Sequence, residues 1–350
     1  YAQTLVDCAV ENNTISDSQS YGIWLYGNTG APFSRNRIYN NTIERNAQDG
    51  IYSLLDYNNS IINNTIRDNL KKGLNLVRSV ENNITWNNFS NNQEFDIYFL
   101  TSVLQKTHCN NNISNNTGTG NKQIFFFNYS TEVSNLDAAE IILCNSDGTN
   151  ISNSTVYGSN STNRTNGILV LTSNDVKLTN VTIGNSYYGI MMSNSSSLTV
   201  SNSNITNASK GVYFLDVKRV GGINIYNSSI NNAIYGIYSD SGTNNNLSNI
   251  TFFNISNQAY YGTASDTRIW NSTFGNNSYY STNSTDNITN STFQNYGLSI
   301  EYIGGVNISY LAPPSTAPYG SEMGPSFNIT NNENMNSTNI TMFYNLSGFD

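Results

Sequence analysis

Apolar and polar positions alternate in short bursts along this chain, and the bursts recur from end to end. A six-residue phrase, apolar–x–Asn–x–(Thr/Ser/Asn)–apolar, is clearest at 38–43, 61–66, 178–183, 225–230 and 269–274. With the closing apolar residue taken as anchor, about a dozen copies stand at Ile15, Ile43, Ile66, Phe89, Ile113, Val156, Ile183, Ile205, Ile230, Phe252, Phe274 and Phe293, mostly roughly 19 to 28 residues apart. The interval from Ile113 to Val156 is nearly double, so one copy there is degenerate or replaced. A second landmark usually follows each anchor within a few residues. It is a short alternating run led by glycine, as in Gly22-Ile23-Trp24-Leu25, Gly50-Ile51-Tyr52, Gly189-Ile190-Met191-Met192 and Gly236-Ile237-Tyr238. Glycine supplies a turn residue free to take positive φ, and the two-residue alternation marks a strand with one buried face.

Each repeat therefore predicts three short strands: one led by glycine, one ending five residues before the anchor, and one carrying the anchor. The Asn three before the anchor falls at the corner between the last two. Asn tolerates the left-handed conformation of a sharp corner, and its amide can bond the Asn one coil away. Only the Phe89 copy departs, with Trp86 at that position. Equivalent strands run the same way, and the preferred crossover hand makes the coil right-handed. The fold expected is all-β, a right-handed parallel β-helix of about 13 coils with three short parallel sheets. It should occupy residues 1–310. A Pro-rich linker is expected over 311–326, and 327–350 reads as a strand segment that begins a further module or is lent to a neighbouring subunit.

Composition narrows the function. Of 350 residues, 11% are charged, Lys and Arg number 15 and the net charge is −8, so no basic patch is available for nucleic acid or an anionic membrane. About one residue in five is Asn. Aromatic residues, at 12%, are too many for a disordered polar tract. Of three cysteines, Cys8 should lie roughly four turns, or some 20 Å, from Cys109, too far for a disulfide. All three are expected to be small buried fillers, with a single Cys109–Cys144 bridge as the alternative.

With the Asn corner and glycine-led strand placed, residues 1 to about 310 resemble the β-helix repeats of the carbohydrate-binding and sugar-hydrolase (CASH) family, in the Asn-rich form common in archaeal surface glycoproteins. The resemblance implies the solenoid. It does not imply one activity, because the same scaffold serves lyases, hydrolases, adhesins and coat proteins.

Three kinds of site follow. Asn-x-Ser/Thr occurs about thirty times, and each copy is a potential glycan acceptor if the chain is secreted. The repeat's own Asn generates many of these automatically. The remainder, Asn58, Asn115, Asn128, Asn160, Asn163, Asn194, Asn207, Asn254, Asn276, Asn283 and Asn345, are expected in turns and are the predicted glycosylation sites, because an amide locked in a corner ladder is poorly available. Second, alternation after each glycine predicts an outward aromatic stripe through Trp24, Tyr52, Tyr98, Phe125, Tyr213 and Tyr238, interspersed with Asn75, Leu169 and Met191. Third, catalysis finds little support: Asp and Glu are few and dispersed, and His108 beside Cys109 is a poor metal pair, since neighbours on a strand face opposite ways. No catalytic residue, metal or cofactor is assigned. The reading is a secreted, heavily N-glycosylated structural protein of an archaeal surface layer, sheath or filament. It is expected to self-assemble through rod ends, stripe or C-terminal strand, with covalent N-glycans and possible polysaccharide contact as its other partners. The alternative is a carbohydrate-binding adhesin.

Overall fold

The computed structural model describes residues 6–27, 35–101, 105–158, 165–215, 222–239, 244–262 and 267–275, together with the short strands at 2–3 and from 278 to 341. The expected coil is there. Ile15, Ile43, Ile66 and Phe89 occupy one register of parallel strands. Val10, Ile38, Ile61, Ile84 and Ile113 occupy a second, and Ile23, Ile51, Leu74 and Ile97 a third. The side chains of Ile43, Ile66, Phe89, Ile38 and Ile51 are fully buried, piled one above the next. Three parallel sheets thus wrap one apolar core, and each coil closes the hydrogen bonds of its neighbours.

The corners explain the asparagine content. Asn12, Asn40 and Asn63 adopt φ near +55°, as expected of corner residues, and Asn115, not expected among them, does the same. Their side chains stack outside the coil: Asn40 Nδ2 donates to Asn12 Oδ1 at 2.7 Å and Asn63 Nδ2 to Asn40 Oδ1 at 3.1 Å. A second set of ladders, not anticipated from the sequence, lies inside. Asn13, Asn41, Asn64, Asn87 and Asn116 form one of them, each Oδ1 accepting the backbone N–H of the Asn one coil earlier at 2.9–3.0 Å. Asn36, Asn59, Asn82 and Asn111 line a second corner and Asn46, Asn69 and Asn92 a third. A corner turns the backbone away from its sheet, so its N–H groups lose their strand partner. The inner amide supplies the acceptor that burial demands. Further along, serine hydroxyls take over, as where Ser203 N–H donates to Ser228 Oγ at 3.1 Å.

The leading glycines serve a different purpose from the one expected. Gly50 does not have positive φ. It is glycine because a Cβ there would meet Ile66 Cγ2 at 2.7 Å and the Gly73 carbonyl at 2.8 Å.

The coil does not run as one straight rod. Strand Thr117–Gly118 pairs antiparallel with Lys122–Phe127 across a tight reversal containing Gly120 at φ 78°. From there a second stack begins, with its own anchor column Ala138, Val156, Ile183, Ile205, Ile230, Phe252 and Phe274. Ile113 belongs to the column of Ile84 and is no anchor, and Ala138 fills the double-length gap. Apolar anchors stack on apolar anchors through both stacks, Phe293 on Phe274 included, and the helix has about nine turns where thirteen were expected.

The outer face of the second stack closes the end of the first. Ile142, Leu169 and Met191 point away from their own coil and are fully buried in one cluster with Phe89, Ile97 and Phe99. Phe99 stacks on Phe126 at 5.6 Å. A Cys109–Cys144 disulfide bonds the two stacks at this elbow, so the pair are not separate fillers; Cys8 is free. A cross-link spanning 35 residues restrains the unfolded chain, and replacing both cysteines by serine is expected to remove about 3 kcal/mol. Urea denaturation with and without reductant measures this, and coincident midpoints would show the bridge to be idle.

At the C-terminal side, Asn307–Ile308 continues the helix on Asn287–Ile288. Ile340–Thr341 pairs antiparallel with Ser299–Ile300. Residues 313–339, which hold most of the expected linker, lie outside the described residues.

Candidate functional site

The stripe expected as one column is two, meeting at the elbow. Trp24, Tyr52, Asn75 and Tyr98 share a register on the first stack. On the second, Leu169, Met191, Tyr213, Tyr238 and Tyr261 share another. Phe125 does not belong: it pairs with Ile141 in the inward column and packs against the second core, while Phe126 takes the outward place. The register shifts between Gln123 and Ile124, where the partner strand carries one extra residue, Ala139, so that Phe125 and not Ile124 stands level with Ile141. Leu169 and Met191 are covered by the first stack, so the exposed part of the second column begins beyond them.

Where the columns meet, the rings touch in series. Phe95 lies 5.3 Å from Tyr98 and 5.8 Å from both Tyr187 and Tyr188. Tyr188 leads to Tyr213 at 4.7 Å, Tyr213 to Tyr238 at 5.6 Å, and Tyr238 to Tyr261 at 4.4 Å. Most of these rings are half-buried, each set by its own strand at the ladder spacing of about 4.8 Å. Lys210 crosses the row, its Nζ 3.6 Å from the Tyr213 ring centre and 3.8 Å from that of Tyr238. On the first stack Lys72 pairs with Glu94 at 2.5 Å and lies over Tyr98. Burial, then the Glu94 charge, pushes the Tyr98 phenol up to about 12; burial first, then its phenol neighbours, also raises Tyr188. These phenols stay protonated, a row of hydroxyl donors on apolar plates. Tyr187, Tyr188, Tyr235, Tyr261 and Lys210 were not foreseen, although a Tyr directly before glycine recurs at Tyr188-Gly189, Tyr235-Gly236 and Tyr261-Gly262.

Behind the row, two carboxylates come together that are dispersed in sequence. Asp96 ends the inner ladder of Asn92 and accepts hydrogen bonds from Asn92 Nδ2, the Thr119 N–H and Asn166 Nδ2. Glu140 accepts the Ile97 N–H at 3.0 Å, and its other oxygen is buried without a hydrogen bond. Both are fully buried. Asn166 and Glu140 therefore cap the N–H groups of Asp96 and Ile97, which a further coil would otherwise satisfy. Gly118 permits this, since a Cβ there would meet Asp96 Oδ2 at 2.8 Å and Ala139 at 2.6 Å. Sealed from solvent, the pair is part of the elbow and out of reach of a polymer. Among the described residues no three His, Cys, Asp or Glu side chains converge to hold a metal, and Cys109 is committed to its disulfide.

The glycan acceptors sit differently from expectation. Asn58, Asn115, Asn194, Asn207 and Asn254 are not in loops apart from the coil but at left-handed corners, with φ of 51–56°. Asn207 and Asn254 even donate along outer ladders, to Asn185 and Asn232. Asn128 is half-buried at the elbow, facing the Cys109 carbonyl. Asn160, Asn163, Asn276, Asn283 and Asn345 lie outside the described residues.

The family model described as "Right handed beta helix region" matches residues 1–139 and again 139–295, dividing the chain beside the elbow. Among solved structures, the A-module of the mannuronan C-5 epimerase AlgE6 of Azotobacter vinelandii is 11% identical, covering 89% of this chain and 92% of its own at a TM-score of 0.39. The receptor-binding domain of the siphovirus 9NA tailspike is 9% identical over 91% of this chain and 75% of its own, with a TM-score of 0.27. PfbA, a surface adhesin of Streptococcus pneumoniae, is 12% identical over 95% and 84%, with a TM-score of 0.25. No curated protein sequence matches the chain.

Proposed function

Because the chain belongs to the right-handed β-helix family, whose scaffold does not dictate one activity, we propose from its surface that it is a secreted, N-glycosylated protein that binds a carbohydrate chain along the tyrosine row. The observation that carries this reading is the series Tyr98, Tyr188, Tyr213, Tyr238 and Tyr261, apolar plates edged with hydroxyls and fixed on rigid strands, with Tyr213 buried and the other four half-buried. Sugar rings present both C–H faces and hydroxyls, and such a surface answers both. The elbow disulfide supports an oxidising, extracellular destination. A glycan array followed by calorimetry tests it. Tyr238→Ala and Tyr261→Ala are each expected to weaken binding about tenfold, or about 1.4 kcal/mol, with melting temperature held. Absence of any glycan binding by the glycosylated native protein overturns the reading.

A structural subunit of an archaeal surface layer, sheath or filament is the second reading. It loses one expected contact, because the far end of the first stack is covered by the second. Electron microscopy of native material separates the two: ordered polymers support the subunit and isolated rods the binding protein.

A further inference from the structure

In the outer corner row that runs Asn12, Asn40, Asn63, position 86 and Asn115, four rungs are amides and one is an indole. Trp86 has φ of +60° and is 64% exposed. A bulky residue is unfavourable in that conformation, and an exposed indole gains nothing from water. No ring contact or hydrogen bond holds the side chain among the described residues.

The substitution matters to the next rung. The outer amides all donate in one direction, Asn40 to Asn12 and Asn63 to Asn40. By that polarity the Asn115 amide would donate to an oxygen at position 86, and an indole offers none. Thr85 pairs with Ser114, so Trp86 and Asn115 are adjacent rungs, about 4.8 Å apart. Asn115 is exposed and begins the acceptor sequence Asn115-Asn116-Thr117. Asn63, on the other side of the indole, is also an acceptor sequence, but its amide is already given to Asn40. At this place the row sets a released amide directly beside an uncovered aromatic plate.

We propose that Asn115 carries an N-linked glycan and that its first sugar ring packs on the indole of Trp86, an inference that rests on the secreted-glycoprotein reading above. In the transfer, Asn115 Nδ2 bonds to C1 of the sugar as the C1–O bond to the phosphate of a lipid-linked oligosaccharide breaks. The departing phosphate keeps the electron pair, and the amide gives up one proton. The sugar covers apolar surface that the protein leaves bare, and the indole orders the glycan stem against the corner. Trp86 thereby exchanges a ladder hydrogen bond for a glycan platform.

Glycopeptide mapping of the secreted protein from a glycosylating host tests this together with Trp86→Asn, which restores the ladder acceptor with the residue used at the other rungs. Asn115 is expected to be occupied in the natural protein and severalfold less occupied in the variant, at unchanged melting temperature. Removal of glycans is expected to increase iodide quenching of tryptophan fluorescence in the natural protein but not in Trp86→Phe. Glycans on other acceptors with Asn115 bare overturn the inference and leave the glycoprotein reading intact; no glycan on any acceptor overturns both. Quenching unaltered by glycan removal overturns the stacking.

Discussion

Replacing Asn64 by leucine is expected to lower the free energy of unfolding by about 3–5 kcal/mol, whereas replacing its neighbour Asn63 by glycine should change it by less than about 1 kcal/mol. The two residues are identical and adjacent, so the contrast isolates position. Asn64 is buried, and its Oδ1 accepts both the Asn41 N–H at 2.9 Å and Asn41 Nδ2 at 3.0 Å. Its Nδ2 donates to the Ile38 carbonyl and to Asn87 Oδ1, each at 2.9 Å. Leucine leaves donors on one coil and an acceptor on another buried without water, at about 1–3 kcal/mol each. Asn63 is exposed and held at φ 55°, a conformation glycine takes freely, and it loses only a solvated ladder bond. Asn64→Ser should recover part of the loss, since serine does this work at Ser203, Ser228 and Ser272. Urea unfolding of the three variants decides the matter; equal losses at positions 63 and 64 would mean the inner ladder is not what holds the corners.

That pair also shows what was legible beforehand and what was not. The outer Asn was recognisable because its left-handed corner repeats in register with the anchors. The inner one stands beside it in the same motif, yet sequence spacing alone does not say which of two adjacent amides faces the core. The glycines were located correctly and misread in purpose, because close approach to the next coil's carbonyl leaves no local trace that separates it from a turn. The elbow was announced only indirectly. The interval after Ile113 doubles, the glycine disappears before Asp96-Ile97 and Gln123-Ile124, and these irregularities bracket the place where the coil reverses. Reading them as one degenerate copy preserved a straight rod, an excess of coils and a stripe through Phe125. A single extra residue, Ala139 on the partner strand opposite Gln123 and Ile124, was enough to offset the two strands so that Phe125 stands level with Ile141. Nor could spacing pair Asp96 with Glu140 or Cys109 with Cys144, since each contact joins one stack to the other and belongs to no repeat.

Because the elbow encloses a carboxyl without a counter-charge, stability is expected to fall as pH rises from the acid side toward neutrality and above. Burial, with the Asp96 charge beside it, raises Glu140 well above its ordinary value of 4.5. Asp96 is also raised by burial, but its donors from Asn166, Thr119 and Asn92 oppose the shift. The two share a site that tolerates one negative charge, and Glu140, with one oxygen lacking any hydrogen bond, is the member that keeps its proton. The folded chain then holds a proton that the unfolded chain releases above about pH 4.5, so the contribution is complete below that value and is lost as pH climbs toward the folded pKa. The slope is at most about 1.4 kcal/mol per pH unit. Asp137 and Asp147 act in the opposite sense: Lys122 holds the first below the usual carboxylate range, and at the second burial, the largest single effect, is outweighed by Lys106 and the Asn174 donors together, so their share disappears only as pH falls through their lowered values. Maximum stability is therefore expected in mild acid. Glu140→Gln keeps an oxygen for the Ile97 N–H and cannot ionise, so its unfolding free energy should flatten above pH 4.5 and exceed the natural protein's at high pH. Denaturant titrations across that range measure both curves. Parallel pH profiles for the two proteins would show that Glu140 ionises without cost in the fold, and that the elbow is either wetter or more open than its hydrogen bonds describe.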